Sequence, residues 1–96
     1  MAKLNDAEIA ESLKTIPAWT VTNGKLHREY KFGNFQRAIE YMTAAMDGIE
    51  RMNHHPEWAN VYNRISVDLV THSEQGITRK DFELAAHLDS IAQKFA

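Results

Sequence analysis

The chain has no cysteine and only two prolines, Pro17 and Pro56, in 96 residues. Without cysteine there is no disulfide framework, no thiolate nucleophile and no sulfur-bound metal. It also lacks an apolar run near the roughly 18–20 residues of a membrane span, and the polar start Met1-Ala2-Lys3-Leu4-Asn5 has no secretory core. A cytoplasmic location is the default expectation. There is no excess of positive charge either: 11 Lys and Arg stand against 13 Asp and Glu, a formal net charge of −2. That balance disfavours a nucleic-acid backbone as partner. Repeats and low-complexity stretches are missing too. With 44% apolar and 25% charged residues, residues 1–96 read as a single soluble globular domain.

What is present is punctuated clearly. Asn5-Asp6-Ala7-Glu8 has the form of a capping box, so a short helix should run to about Leu13 and end before Ile16-Pro17. Trp19 and Val21 alternate with polar neighbours as far as Asn23-Gly24, a strong hairpin-turn dipeptide. Leu26, Arg28, Tyr30 and Phe32 then share one strand face, with His27, Glu29 and Lys31 on the other. Arg28 interrupts the apolar pattern, which predicts a partly buried face.

Asn34 is placed to cap a second helix, in which Phe35, Ala38, Ile39, Met42, Ala45, Met46 and Ile49 form one apolar stripe. That helix should fade near Arg51-Met52, and Met42, Met46 and Met52 read as core packing. From Trp58 to Val70 the period is two, broken near Asn63, which predicts two strands around a tight turn. After a loop over residues 73–76, Thr78 to Asp81 is a second capping-box form. It opens a last helix with Phe82, Ala85, Ala86, Ala92 and Phe95 toward the core. The predicted fold is α+β and two-layered: a four-stranded antiparallel sheet with helices packed on one face, in the order α-β-β-α-β-β-α.

Three of the five histidines lie in two short segments, His54-His55-Pro56-Glu57-Trp58 and, seventeen residues after His55, Thr71-His72. Histidine changes charge near neutral pH and so serves proton transfer. A hairpin turn near Asn63 places His72 opposite His54, within one or two residues, and should bring the three imidazoles together. Pro56 holds His55 in extended backbone. Glu50, one helical turn before His54, and Asp81, in the first turn of the last helix, are candidates to orient an imidazole. Each residue also has a plainer reading: a polar loop for His54-His55, a surface position for His72, core packing for Trp58 and dipole compensation for Asp81. His27 and His87 have no partners in the pattern and read as solvent-exposed. A three-histidine zinc site is the rival. It fits less well, because adjacent histidines diverge and no His-x-x-x-His spacing occurs.

At these residues the chain resembles the pterin-4a-carbinolamine dehydratases, a family also known as the dimerisation cofactor of a homeodomain transcription factor. Carrying the likeness are Glu50-Arg51-Met52-Asn53-His54-His55-Pro56-Glu57-Trp58, then Asn60-Val61-Tyr62-Asn63, Thr71-His72, Gly76-Ile77-Thr78 and Asp81. It extends from about Trp19 to the C-terminus; Ala59 departs from it, standing where a bulkier aromatic is familiar. The resemblance implies a hydro-lyase that needs no cofactor or metal and removes water from a 4a-hydroxytetrahydropterin, recycling the pterin of aromatic amino acid hydroxylases. It implies His54 and His72 as the proton-transfer pair, with His55 beside them as a pterin contact. Pro56 and Trp58 would shape the pocket and Glu50 and Asp81 would orient the histidines. The expected partners are the pterin and further copies of the chain, as homodimer or homotetramer, with no nucleic acid and no membrane. The alternative is a protein-binding module that acts as a dimerisation cofactor of a transcription factor.

Overall fold

The computed structural model describes residues 2–96. Helix α1 (Asp6–Leu13) is followed by strands β1 (Thr20–Thr22) and β2 (Lys25–Lys31), helix α2 (Phe35–Met52), strands β3 (Glu57–Val61) and β4 (Arg64–Leu69), and helix α3 (Arg79–Ala92). Single 3-10 turns occupy His72–Glu74 and Gln93–Phe95. This is the expected α+β order. The four strands form one antiparallel sheet in the order β1-β2-β4-β3.

The local signals work as read. Asn5 and Glu8 exchange backbone and side-chain hydrogen bonds in a complete capping box. Asn23 and Gly24 both take positive φ, 53° and 75°, as a hairpin turn matched to strand twist requires. The second turn falls at Tyr62-Asn63, near Asn63 as expected, with Tyr62 at φ 54°. Asn63 ties it down, donating from its amide to the Phe32 carbonyl at 2.9 Å.

Alternation along β2 and β4 turns Leu26, Tyr30, Ile65, Val67 and Leu69 toward the helices, where they are buried. The other face carries Lys25, His27, Glu29, Ser66 and Asp68, none of which is buried. Arg28, on the helix-facing side, is satisfied there. It lies 4.2 Å over the Tyr30 ring and pairs with Asp89, which also accepts from the Trp19 indole and the Tyr30 hydroxyl. Burial pushes the Tyr30 and Tyr41 hydroxyls far above the ordinary phenol range, so both remain neutral donors.

Four expectations need correction. Helix α2 carries two apolar stripes rather than one. Ala38, Tyr41, Ala45 and Ile49 face the core, while Phe35, Ile39 and Met46 lie on the neighbouring flank and are exposed. Met46 is therefore not core packing, although Met42 and Met52 pack against the core. In α3 the buried apolar positions are Phe82, Leu84, Ala85 and Leu88; Ala86 is exposed, because it lies one residue off that face. Trp19 is buried but precedes β1, and Val21 in the strand is exposed.

The fourth concerns His27 and His87, neither of which stands alone. His27 Nδ1 meets Asp68 at 2.9 Å across the β2–β4 register. His87 is half-buried at the α2–α3 crossing, where its Nε2 reaches the Ala45 carbonyl at 3.2 Å. Its ring fills the space beside Gly48: a Cβ there would come within 2.1 Å of the imidazole. Any side chain at residue 48 would require the His87 ring to move away from the Ala45 carbonyl.

Candidate active site: three imidazoles on three carboxylates

The end of α2 sets the direction of His54. Asn53 adopts the left-handed conformation at φ 49°, its N–H bonds the Glu50 carbonyl, and the His54 N–H bonds the Ile49 carbonyl. This paired closure satisfies the last carbonyls of the helix and turns the chain back. His54 then meets the first turn of α3, where its Nε2 lies 2.6 Å from Asp81 Oδ1.

Asp81 is fully buried, and its second oxygen is equally engaged. Oδ2 accepts from the Thr78 N–H at 2.8 Å and from the Thr71 hydroxyl at 2.9 Å. Thr71 has a single hydroxyl proton and gives it to Asp81. Thr78 must therefore donate across the 2.8 Å contact between the two hydroxyls, while its own oxygen accepts from the Lys80 N–H. Every group in this node has a partner. Asp81 is thus both the N3 member of the capping box at Thr78 and the carboxylate that holds His54.

His55 lies outside that node. Pro56 follows it, and its Nε2 meets Glu50 Oε2 at 2.9 Å on the last turn of α2. His72, in the 3-10 turn after β4, places Nε2 2.9 Å from Glu57 Oε2. The side chain of His54 is 12% exposed, against 59% for His55 and 75% for His72. The β3–β4 register, extended past Glu57↔Asp68, sets Thr71 rather than His72 opposite His54, one residue from the predicted match. The two segments are joined at two points, Thr71 through Asp81 and His72 through Glu57.

One pattern covers all three. Each imidazole is held at Nε2 by a carboxylate, which fixes that nitrogen as the donor in the neutral form and leaves Nδ1 as the basic nitrogen. Beside His55 and Glu50 a cleft of about 210 Å³ is walled by Met42, Met46, Ile49, Pro56 and Trp58. Pro56 and Trp58 thus stand on its wall, and Trp58 meets Tyr41 edge to face at 6.4 Å between ring centres. Among the described residues, no group of three or more His, Cys, Asp or Glu side chains is arranged to hold a metal ion.

Two residues that matter here were not singled out from the sequence. Thr71 is placed by its bridge to Gly76, and Glu57 by strand alternation, which sends it to the face opposite Trp58. Period two along residues 57–61 was the available signal for Glu57. Glu57 also receives Lys25 Nζ, and hydrogen bonds first from Lys25 and then from His72 hold its carboxyl below the usual range.

The model of the family described as pterin 4 alpha carbinolamine dehydratase matches residues 2–91. The chain belongs to the pterin-4-alpha-carbinolamine dehydratase family. A Solibacter usitatus protein provisionally named as such a dehydratase is 59% identical over 90 residues, covering 94% of this chain and 95% of that protein. One from Sinorhizobium medicae, under the same provisional name, is 42% identical over 93 residues, with 95% and 89% covered. In structure, the chain is similar to a Brucella melitensis protein described as a transcriptional coactivator/pterin dehydratase. The TM-score is 0.89 at 38% identity, over 94% of this chain and 98% of that one. No helix among the described residues is long and apolar enough to cross a membrane.

Proposed function

We propose that this chain dehydrates a 4a-hydroxytetrahydropterin to the quinonoid dihydropterin, with its histidines as acid and base. The observation that carries this reading is the set of three imidazoles each held at Nε2 by a carboxylate, one of which, His55, lines an apolar cleft. In the reaction the C4a–O bond breaks, the proton on N5 is lost and a C4a=N5 bond forms, with water as the other product. Hydroxide leaves poorly, so an imidazolium must protonate it as it departs, while a neutral imidazole takes the N5 proton. Such assistance is worth roughly 10²–10⁴-fold. A mixed set of histidines supplies both protonation states near neutral pH.

His54 and His72 are the proposed proton-transfer pair, and His55 is the pterin contact within the catalytic set. Pro56 and Trp58 wall the pocket, and Glu50 and Asp81 orient His55 and His54. No cofactor or metal is needed for this chemistry. The reaction would recycle the pterin of an aromatic amino acid hydroxylase, and on the sequence reading alone its compartment is the cytoplasm.

A second reading is supported by the flank of α2. A groove of about 630 Å³ runs along Phe35, Gln36, Ile39, Glu40, Thr43 and Ala44 to Phe95, with Phe35 and Ile39 exposed. It would serve a protein-binding role in this chain, in line with the transcriptional coactivator part of the Brucella melitensis relative's description. For a homo-oligomer, the expected partner on this face is a second copy of the chain; sedimentation at micromolar concentration that finds only monomer overturns that expectation.

The test of the main reading is the decay of chemically generated 4a-hydroxytetrahydropterin. Wild type should accelerate it, and His54→Ala and His72→Ala should each lose about 10²-fold or more of that acceleration. Decay no faster than in buffer overturns the dehydratase reading. Full activity in both variants overturns the assignment of the site.

A further inference from the structure

The exposed arm of the site is braced from two strands away. Lys25, at the start of β2, places Nζ 2.5 Å from Glu57 Oε1 on β3, and His72 engages the other oxygen, Oε2, at 2.9 Å. The sheet makes this reach possible. Glu57, Asp68 and His27 form one row across β3, β4 and β2, and Lys25 lies two residues before His27 on the same face. Leu69, the last residue of β4, pairs with Leu26, so Lys25 stands at the rim where the chain leaves β4 for the His72 turn. Alternation thus carries a cation, a carboxylate and an imidazole to one corner of the open face.

We propose that Lys25 and Glu57 are a positioning pair for His72: the ammonium fixes the carboxylate, and the carboxylate holds the imidazole by Nε2, leaving Nδ1 to exchange protons. This rests on the dehydratase reading. A carboxylate gripped at one oxygen still rotates, whereas donors on both oxygens remove that freedom. An imidazole on a solvent-facing turn otherwise samples many orientations, and proton transfer requires one of them.

The electrostatics agree with the geometry. Lys25 is the first cause holding the Glu57 carboxyl below its ordinary value, and Glu57 is the first cause holding the Lys25 ammonium above its own. The charged and titratable groups around Glu57 are Lys25 and His27 from β2, Asp68 from β4 and His72 from the following turn. Asp68 is occupied by His27 at 2.9 Å. A carboxylate with a depressed pKa keeps its contacts above that value and loses them as pH falls through it. Removing Lys25 raises the value, so the loss begins at higher pH.

The experiment measures kcat and KM of the full chain with chemically generated 4a-hydroxytetrahydropterin, from about pH 5 to pH 8 around the histidine range. Glu57→Gln should lower kcat about threefold to tenfold, a part of the acid/base contribution, with KM changed less than about twofold. Lys25→Met should cost about twofold near neutral pH, as expected for an exposed pair, and more toward pH 5. Lys25→Arg should restore it. Lys25→Met placed on Glu57→Gln should cost nothing further, because the lysine acts through the carboxylate. Independently of turnover, the Glu57 carboxyl carbon followed by NMR should titrate at higher pH in Lys25→Met than in wild type. Additive losses, unchanged kcat in Glu57→Gln, or an unmoved Glu57 titration each overturn the proposal. Wild type that gives no acceleration overturns the dehydratase reading on which it rests, while the NMR titration still reports the Lys25–Glu57 contact.

Discussion

His54 on Asp81 and His72 on Glu57 are the same chemical pair in opposite surroundings. Both imidazoles are held through Nε2, at 2.6 Å and 2.9 Å. Asp81 is buried, completes the capping box of α3 and accepts from three donors, whereas Glu57 is half-exposed on a strand edge and shared between a lysine and a histidine. The first arrangement cannot relax without unsatisfying a buried group, which costs the full desolvation of that group. The second loses its contacts to water at little cost in stability. One site therefore combines a fixed imidazole with an adjustable one. The difference comes from burial rather than from the residues used.

Asp81→Asn is the strongest way to break that contrast. An amide has one acceptor oxygen, but three donors converge here: His54 Nε2–H, the Thr78 N–H and the Thr71 hydroxyl. At least one donor must then face the amide N–H₂. We expect a stability loss of about 1–3 kcal/mol in urea unfolding, together with a fall in kcat of about 10-fold or more if His54 moves a proton, as part of the acid/base contribution. A variant as stable as wild type would show the node to be far softer than its hydrogen bonds imply.

Thr71→Val sharpens the same side by a smaller step. It keeps the shape, leaves Asp81 with two donors and strands the Thr78 hydroxyl proton. The expected cost is about 1–2 kcal/mol of stability, with kcat lowered less than by Asp81→Asn. Equal losses in the two variants would mean that Thr71, not Asp81, organises the corner.

Much of this was legible in the chain. The Asn5 and Thr78 capping boxes, the Asn23-Gly24 turn and the period-two strands are local signals, and local hydrogen bonding enforces them. The arithmetic that brought residue 72 toward residue 54 came within one residue, because a tight turn fixes register. What was not legible depended on neighbours distant in sequence. Periodicity marks residues as apolar without showing which flank another element covers, so Phe35, Ile39 and Met46 were assigned to one stripe with Ala38 and Ala45. The partners of His27 and His87 come from β4 and α2, and nothing near either histidine announces them. Glu50 and Asp81 were expected to orient imidazoles. Which imidazole each one takes depends on the left-handed turn at Asn53, a backbone feature with only the asparagine as its cue.

Glu50 supplies the smallest effect and the cleanest control. It pairs with His55 at 2.9 Å, and both side chains are largely in water. A charge exchanged for an amide at such a place should leave stability within about 0.5 kcal/mol of wild type. Its consequence should appear in binding. If His55 contacts the pterin, Glu50→Gln loosens a binding group and raises KM about two- to threefold, with kcat nearly unchanged. Steady-state kinetics beside urea unfolding separates the two. A stability loss as large as that of Asp81→Asn would erase the distinction between buried and exposed pairs. A fall in kcat with KM unmoved would shift His55 from holding the substrate to moving its proton, leaving His54 as the least exposed of three imidazoles that share the chemistry.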